Sequence, residues 1–336
     1  MNNSLEKAKK LHNTTTQSPI SLAVAPMEGV MDHTMRALLS KIGGMDYLVS
    51  EFVRVTHYPI PVTSFKKHIP ENNHSAKTLY NHPVHTQLLG SQPELMAESA
   101  YNAYLAGAQH IDVNFGCPAK RVNGHGGGSV LLQEPEILFR IMHAIRQKLP
   151  QEIPVTAKIR LGFEDEEKLF DNVAAIESAG TSALTIHGRT KKDGYKPPAR
   201  WEKIGQINDQ TNMSIIANGD ITNLASLQKC QSITGCTNFM IGRGSLSNPF
   251  LFQELREGLE GKPKNQQNRS LGTLFNEYTD SLQLEYDDVA TLGRLKQWCA
   301  HLRHEFNSIQ NHLQALRQSK SVSEFTEKLA VCLKEA

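Results

Sequence analysis

The chain has 336 residues, 39% hydrophobic and 21% charged, with a net charge of +2. That balance is ordinary for a globular protein with a sizeable core and gives no overall nucleic-acid signature, so any RNA contact must come from local clusters of Lys and Arg. Five cysteines without a CxxC pair argue against a disulfide framework and a zinc site and fit a reducing cytoplasm. No apolar run approaches about 18 residues, so no membrane span is expected.

Residues 1–19 are polar, lack the apolar core of a signal peptide and read as a disordered leader. Short apolar runs then recur at 22–27, 47–53, 85–89, 110–115, 155–161, 183–187, 214–217 and 238–241. Each is too short for a helix and reads as a buried parallel strand. Amphipathic patterns at 93–106, 135–149, 165–179 and 223–234 fill gaps between them. Two of these begin with Pro in the first turn, and Ala106–Gly107, Ala179–Gly180 and Thr234–Gly235 close three. Eight strands alternating with helices predict a (β/α)8 TIM barrel over residues 20–257, and no GxGxxG follows the first strand as an open doubly wound sheet would ask. Residues 54–84 show weak periodicity and read as a long active-site loop. From 258 the pattern changes. Positions 258–269 read as a linker, and helical patterns at 271–286, 291–306, 308–318 and 322–334 predict a small all-α domain over 258–336.

Barrel enzymes place their site at the C-terminal ends of the strands. Here those ends carry Pro26, Met27 and Glu28; Glu51 and Arg54; Gln87; Asn114 and Cys117; Lys158 and Arg160; His187 and Arg189; Asn218, Gly219 and Asp220; and Gly242, Arg243 and Gly244. Polar or glycine-rich groups at every strand end exceed what a core needs. The loops after the seventh and eighth strands, 218–220 and 241–244, could be two ordinary tight turns. Their place in a barrel, with Arg243 as a fixed cation, favours a phosphate. A flavin ring needs partners along its pyrimidine edge and a positive group near it. Lys158, inside an apolar strand, suits the charge, and Gln87 and Asn114 suit the edge. Cys117 lies in a Gly–Cys–Pro turn over the site, where a thiol with a pKa near ~8.5 is mostly protonated and can donate a proton. His187 also faces the site, as a ligand, an acid or a packed residue.

Together these residues resemble the tRNA-dihydrouridine synthase family. The resemblance covers about residues 20–318 and rests on the segments at 25–30, 51–55, 87–90, 114–118, 122–128, 158–162, 187–190, 217–220 and 241–244. Within the family, the segments at 26–29, 51–55 and 126–128 look like the bacterial branch that reduces uridine 16 in the D-loop. Phe115 stands where that branch often has a smaller residue, and Asp220 where Glu is common. The resemblance implies FMN, with NADPH (or NADH) as reductant, hydride delivery to C6 of uridine and protonation of C5 by Cys117. It implies FMN contacts from Pro26, Met27, Glu28, Gln87, Lys158, His187, Asn218, Gly219, Asp220, Gly242 and Arg243, and a uracil contact from Asn114.

A base in folded tRNA must leave its stack before a flavin can meet it. The helical pattern at 291–306 sets Leu295, Cys299, Leu302 and Phe306 on one apolar stripe with basic flanks. By resemblance Arg294, Lys296 and Arg303 lie on the tRNA surface, joined by Arg54 and Tyr195. A cytoplasmic, metal-free monomer is expected. Two rivals remain: an FMN enzyme acting on free pyrimidines, like dihydroorotate dehydrogenase, and a non-catalytic tRNA-folding module.

Overall fold

The computed structural model describes residues 20–263 and 270–334. The expected leader and positions 264–269 of the expected linker lie outside the described residues. The strands are β1 (Ser21–Val24), β2 (Tyr47–Val49), β3 (Val53–Arg54), β4 (Val84–Leu89), β5 (Ile111–Asn114), β6 (Val155–Arg160), β7 (Ala183–His187), β8 (Ser214–Asn218) and β9 (Asn238–Ile241). All pair in parallel, in the order β2-β1-β9-β8-β7-β6-β5-β4-β3, and a further β2–β4 pairing closes the ring. The ring therefore has eight staves, as the eight apolar runs predict.

The second stave is split. β2 sets Leu48 opposite Val84, and β3 sets Val53 opposite Leu88, so both lie along β4. Between them the Ser50 hydroxyl oxygen accepts the Gln87 N–H at 3.0 Å and its proton goes to the Glu51 carbonyl at 2.9 Å. That side chain takes over a bond the ladder would otherwise make, which is why the single run expected at 47–53 is two short strands.

Side chains alternate across a strand. One set (Leu22, Leu48, Val84, Ile111, Val155, Leu184) joins the main apolar cluster with the surrounding helices. The other faces the barrel interior, where apolar residues (Ala23, Val49, Ile216) mix with polar ones. At the strand starts the rings of Tyr47, His85 and His110 stack at centroid distances of 4.2 and 3.5 Å and fill the barrel floor.

Around the barrel run α1 (His33–Ile42), α2 (Val62–His68), α3 (Pro93–Leu105), α4 (Lys120–Asn123), α5 (Pro135–Lys148), α6 (Leu169–Ser178), α7 (Trp201–Asn208), α8 (Leu224–Thr234), α9 (Arg243–Ser247) and α10 (Leu251–Leu259). Pro93 and Pro135 open α3 and α5, and Gly107, Gly180 and Gly235 follow their helices with positive φ, as read from the sequence. The stretch at 54–84 is not an active-site loop. It holds α2 and a 3-10 turn at Pro70–His74, buries Phe65, and sends Glu71 into a buried ion pair with Arg36. Its His, Pro and Asn residues hid a short helix of seven residues.

Helix α10 runs through Leu259, into the expected linker. Beyond it come α11 (Leu271–Glu285), α12 (Asp288–Leu302), α13 (Asn307–Arg317) and α14 (Val322–Lys334). Asp287 caps α12 by accepting the Ala290 N–H at 2.8 Å, so this helix starts and stops earlier than the expected 291–306. Arg303 becomes its C-cap and Phe306 the N-cap residue of α13. Leu295, Cys299 and Leu302 of the expected stripe are buried, joined by Thr291, Leu292 and Trp298. These helices share one apolar cluster with the barrel, and Trp298 Nε1 donates to the Leu246 carbonyl of α9 at 3.2 Å.

Candidate active site

A cavity of about 940 Å³ opens at the C-terminal ends of the strands. That volume lies near the top of the range of roughly 300–1,000 Å³ that holds cofactor-sized ligands. Of the residues expected at the site, Pro26, Met27, Glu28, Asn114, Cys117, Lys158, His187, Tyr195, Asn218, Gly219, Asp220, Gly242, Arg243 and Arg303 line it. Gln87, Arg54, Arg294 and Lys296 are not brought to it. Gln87 is fully buried one layer behind Asn114, to which it is hydrogen-bonded. Arg54 reaches the Arg121 carbonyl at 3.5 Å beside the cavity. Arg294 pairs with Asp32 and lies over the Tyr286 ring, and Lys296 donates to the Ser319 carbonyl.

Four cations line this cavity, Lys158, Arg160 and Arg243 from the barrel and Arg303 from the helical region. Lys158 donates to Asn218 Oδ1 at 3.1 Å, and Asn218 in turn donates to the Met240 carbonyl at 2.7 Å. Burial, then repulsion from Arg160, pulls the Lys158 pKa down from 10.5 to about 8, so its ammonium still carries charge at neutral pH. Arg160 is fixed by the carbonyls of Gly116, Thr190 and Gly194 at 2.8–3.0 Å. The Tyr195 ring, 52% exposed, lies between the guanidinium groups of Arg160 and Arg243, 5.1 and 4.9 Å from its centroid.

Asp220 contributes less negative charge than its formula implies. Arg189 Nη2 donates to both its oxygens at 2.7 and 2.5 Å, and the Ala199 N–H donates at 2.7 Å. Arg189 Nη1 also donates to His187 Nε2 at 3.2 Å, which leaves the ring proton on Nδ1. Burial and the surrounding cations hold the His187 pKa well below its usual value, so the ring is neutral. Gly219 needs to be glycine: its φ is +122°, and a Cβ would come within 3.0 Å of Ala199 and 3.1 Å of His187.

Cys117 follows β5 and is 9% exposed. Its backbone is pinned from three sides. The Cys117 carbonyl accepts from Asn123 Nδ2 at 3.0 Å, Ser129 Oγ at 2.9 Å and the Ser129 N–H at 3.1 Å. Gly128 lies with φ +67° so close that a Cβ would be 2.8 Å from that carbonyl. Burial pushes the thiol pKa up, so the sulfur keeps its proton through neutral pH. Asn123 and Ser129, which hold the Cys117 loop, are not among the residues expected from the sequence. The glycine run at 126–128 was their signal. The expected RNA helix also supplies more of the mouth than Arg303, since Ala300, His301 and His304 line it as well.

Comparison with known proteins places this geometry. Residues 23–336 match the family described as Dihydrouridine synthase (Dus). A tRNA-dihydrouridine(16) synthase from Neisseria meningitidis serogroup B is 40% identical over 311 residues, 92% of this chain and 93% of the relative. One from Shewanella oneidensis is 40% identical over 316 residues, covering 91% and 96%. Among solved structures, a 2-naphthoyl-CoA reductase complex has a TM-score of 0.53 at 12% identity, over 72% of this chain and 50% of that one. Histamine dehydrogenase from Rhizobium sp. 4-9 has a TM-score of 0.53 at 14% identity, over 78% and 48%. At such identities the likeness is one of barrel fold, and this chain spans about half the length of those structures. A match across nearly all of the described residues, with closely related full-length synthases, means that the chain belongs to the dihydrouridine synthase family.

Proposed function

We propose that the protein reduces the C5=C6 bond of a uridine in the D-loop of tRNA, at position 16, using FMN and NADPH. The observation that carries this reading is a protonated, buried thiol, Cys117, on the rim of a cavity floored by a cationic lysine, Lys158. The reaction needs both: a proton for C5 and a positive field where negative charge develops.

The donor set suits FMN. Asn218, Gly219, Gly242 and Arg243 would hold its phosphate end, because two glycine-bearing turns and a guanidinium fork offer an anion close backbone approach and fixed charge. Pro26, Met27, Lys158 and His187 would hold the ring. Bound there, the flavin supplies hydride equivalents drawn from NADPH. Cys117 holds its proton at Sγ and gives it to C5, and the thiolate regains one from solvent, so one hydride and one proton are added per uridine. Asn114 offers an amide to the uracil edge. Lys158 keeps its charge because burial has not lowered its pKa below neutrality.

We assign residues 20–257 to catalysis and 258–336 to tRNA binding in the cytoplasm. Arg303, His301 and His304 at the mouth serve an RNA better than a free pyrimidine, which needs no such rim. Arg54 and Tyr195 extend that surface on the barrel side, and Arg294 and Lys296 brace the helices from within. A single chain carries every residue this reading uses.

The test is direct. Purified protein is incubated with unmodified tRNA transcript, FMN and NADPH, and D-loop fragments are weighed for the gain of two hydrogens. Gain at uridine 16 is expected. Gain at another uridine keeps the reaction and moves the target, and no gain on any uridine refutes the reading. Cys117→Ala is expected to bind flavin and tRNA and lose at least about a hundredfold in rate.

A further inference from the structure

Asp112 lies in the middle of the barrel interior, 2% exposed, and does not line the cavity. Its two oxygens accept from Gln87 Nε2 and Thr156 Oγ1, each at 2.6 Å. Gln87 Oε1 accepts from Asn114 Nδ2 at 2.9 Å, and Asn114 Oδ1 accepts from the Gly116 N–H at 2.9 Å, one residue before Cys117. Of Asp112, Gln87 and Asn114, only Asn114 reaches the cavity.

The two ends of an amide are alike in shape and opposite in polarity, so their partners decide which way each turns. An ionised carboxylate only accepts. Gln87 must therefore turn Nε2 toward Asp112 and Oε1 toward Asn114. Asn114 must then turn Nδ2 toward Gln87, leaving Oδ1 for Gly116, whose N–H only donates. Burial raises the Asp112 pKa on balance, against the pull of both donors and the nearby Lys158 ammonium, and the two donors at 2.6 Å are what a carboxylate accepts. Below it, Thr156 Oγ1 also meets His110 Nε2 at 3.0 Å, anchoring the far end to the floor.

We infer that Asp112 is a positioning residue for uridine reduction: through Gln87 it sets which amide end Asn114 offers to the pyrimidine, and through Gly116 it steadies the Cys117 loop. This rests on the proposed function above.

The experiment is a polarity swap. Asp112→Ala is expected to lower kcat on unmodified tRNA by about a hundredfold while the KM for tRNA moves less than about threefold, because the group acts on reacting geometry and not on RNA contacts. Gln87→Glu sets two carboxylates against each other and is expected to lose as much kcat and to lower the melting temperature of the ligand-free protein. Adding Asp112→Asn to Gln87→Glu restores the line, since the new amide donates to the new carboxylate and Asn114 still meets an acceptor. The double variant is expected to recover at least about tenfold of that kcat, along with the melting temperature.

A double variant no better than Gln87→Glu, or an Asp112→Ala enzyme within about threefold of the unaltered kcat, overturns the inference. Recovery of melting temperature without recovery of kcat overturns it too, leaving Asp112 a packing group. An unaltered enzyme that forms no dihydrouridine overturns the reaction and this inference with it. The other failures, seen in an active enzyme, overturn this inference alone.

Discussion

Two sets of basic side chains occupy this molecule and do opposite things with their charge. Lys158, Arg160 and Arg243 converge on a cavity that two carboxylates line, Glu28 and Asp220, and Asp220 is held by Arg189 at 2.5–2.7 Å with Arg243 only at 4.0 Å. Arg294 and Lys296, on α12, look in sequence like an RNA-binding stripe, yet one pairs with Asp32 and the other with the Ser319 carbonyl. The first set holds positive potential in reserve for a ligand, and the second consumes it inside the fold. Formal charge in a sequence is thus not available charge. What separates the two is whether the cation opens on the cavity, as Arg160 does even while carbonyls hold it, and that depends on which elements pack together.

The contrast is sharpest at Lys158. Its fall from 10.5 to about 8 means that the folded protein bears about 3 kcal/mol against it at neutral pH. Lys158→Met is expected to slow dihydrouridine formation by about a thousandfold and yet raise unfolding free energy at pH 7 by about 1–3 kcal/mol. Loss of both activity and stability in denaturant titrations would break the contrast. The sign in pH follows. The unfolded lysine holds its proton up to 10.5 and the folded one only to about 8, so stability rises with pH between those values. Activity should fall through the same window as the ammonium is lost, and a rate flat from pH 7 to 10 would remove Lys158 from its role.

Next in size is Arg243→Ala, expected to weaken FMN binding by about ten- to a hundredfold in fluorescence titrations while riboflavin binding changes little. Equal losses for both ligands would move the phosphate elsewhere. Arg294→Ala strips a half-buried partner from Asp32 and is expected to cost about 2 kcal/mol of stability. The salt dependence of tRNA binding should hardly change. Arg303→Ala should do the reverse, lowering the slope of log K against log salt by about one with little change in melting temperature. Lys296→Ala is the smallest, a loss of less than about 1 kcal/mol for one partly exposed hydrogen bond.

The barrel was legible because its signals are local. Eight apolar runs, prolines at helix starts and glycines at helix ends each obey short-range rules, and all of them reappear in the fold. Motifs at the strand ends located most of the cavity lining for the same reason, since a strand end has a known place in a barrel. What was illegible needed a third dimension. Nothing near Gln87 in sequence tells of the Ser50 hydroxyl and the Asp112 carboxylate that hold it behind the cavity. Asp287 as a cap set the start of α12 three residues early, and its end at Leu302 left Phe306 to cap the next helix. Asp32, far away in sequence, decided what Arg294 could do.

The stack of Tyr47, His85 and His110 gives the barrel a stopper as well as a floor. Burial keeps the His110 ring neutral down to about pH 4, so the plug carries no charge that would draw in water. The described cavity opens at the other end, where the strands finish. On the proposed function, the reductant of the flavin and the nucleotide would share that mouth and take turns. Parallel double-reciprocal plots, with each substrate competing against the other at high concentration, are the kinetic imprint expected of that shared mouth.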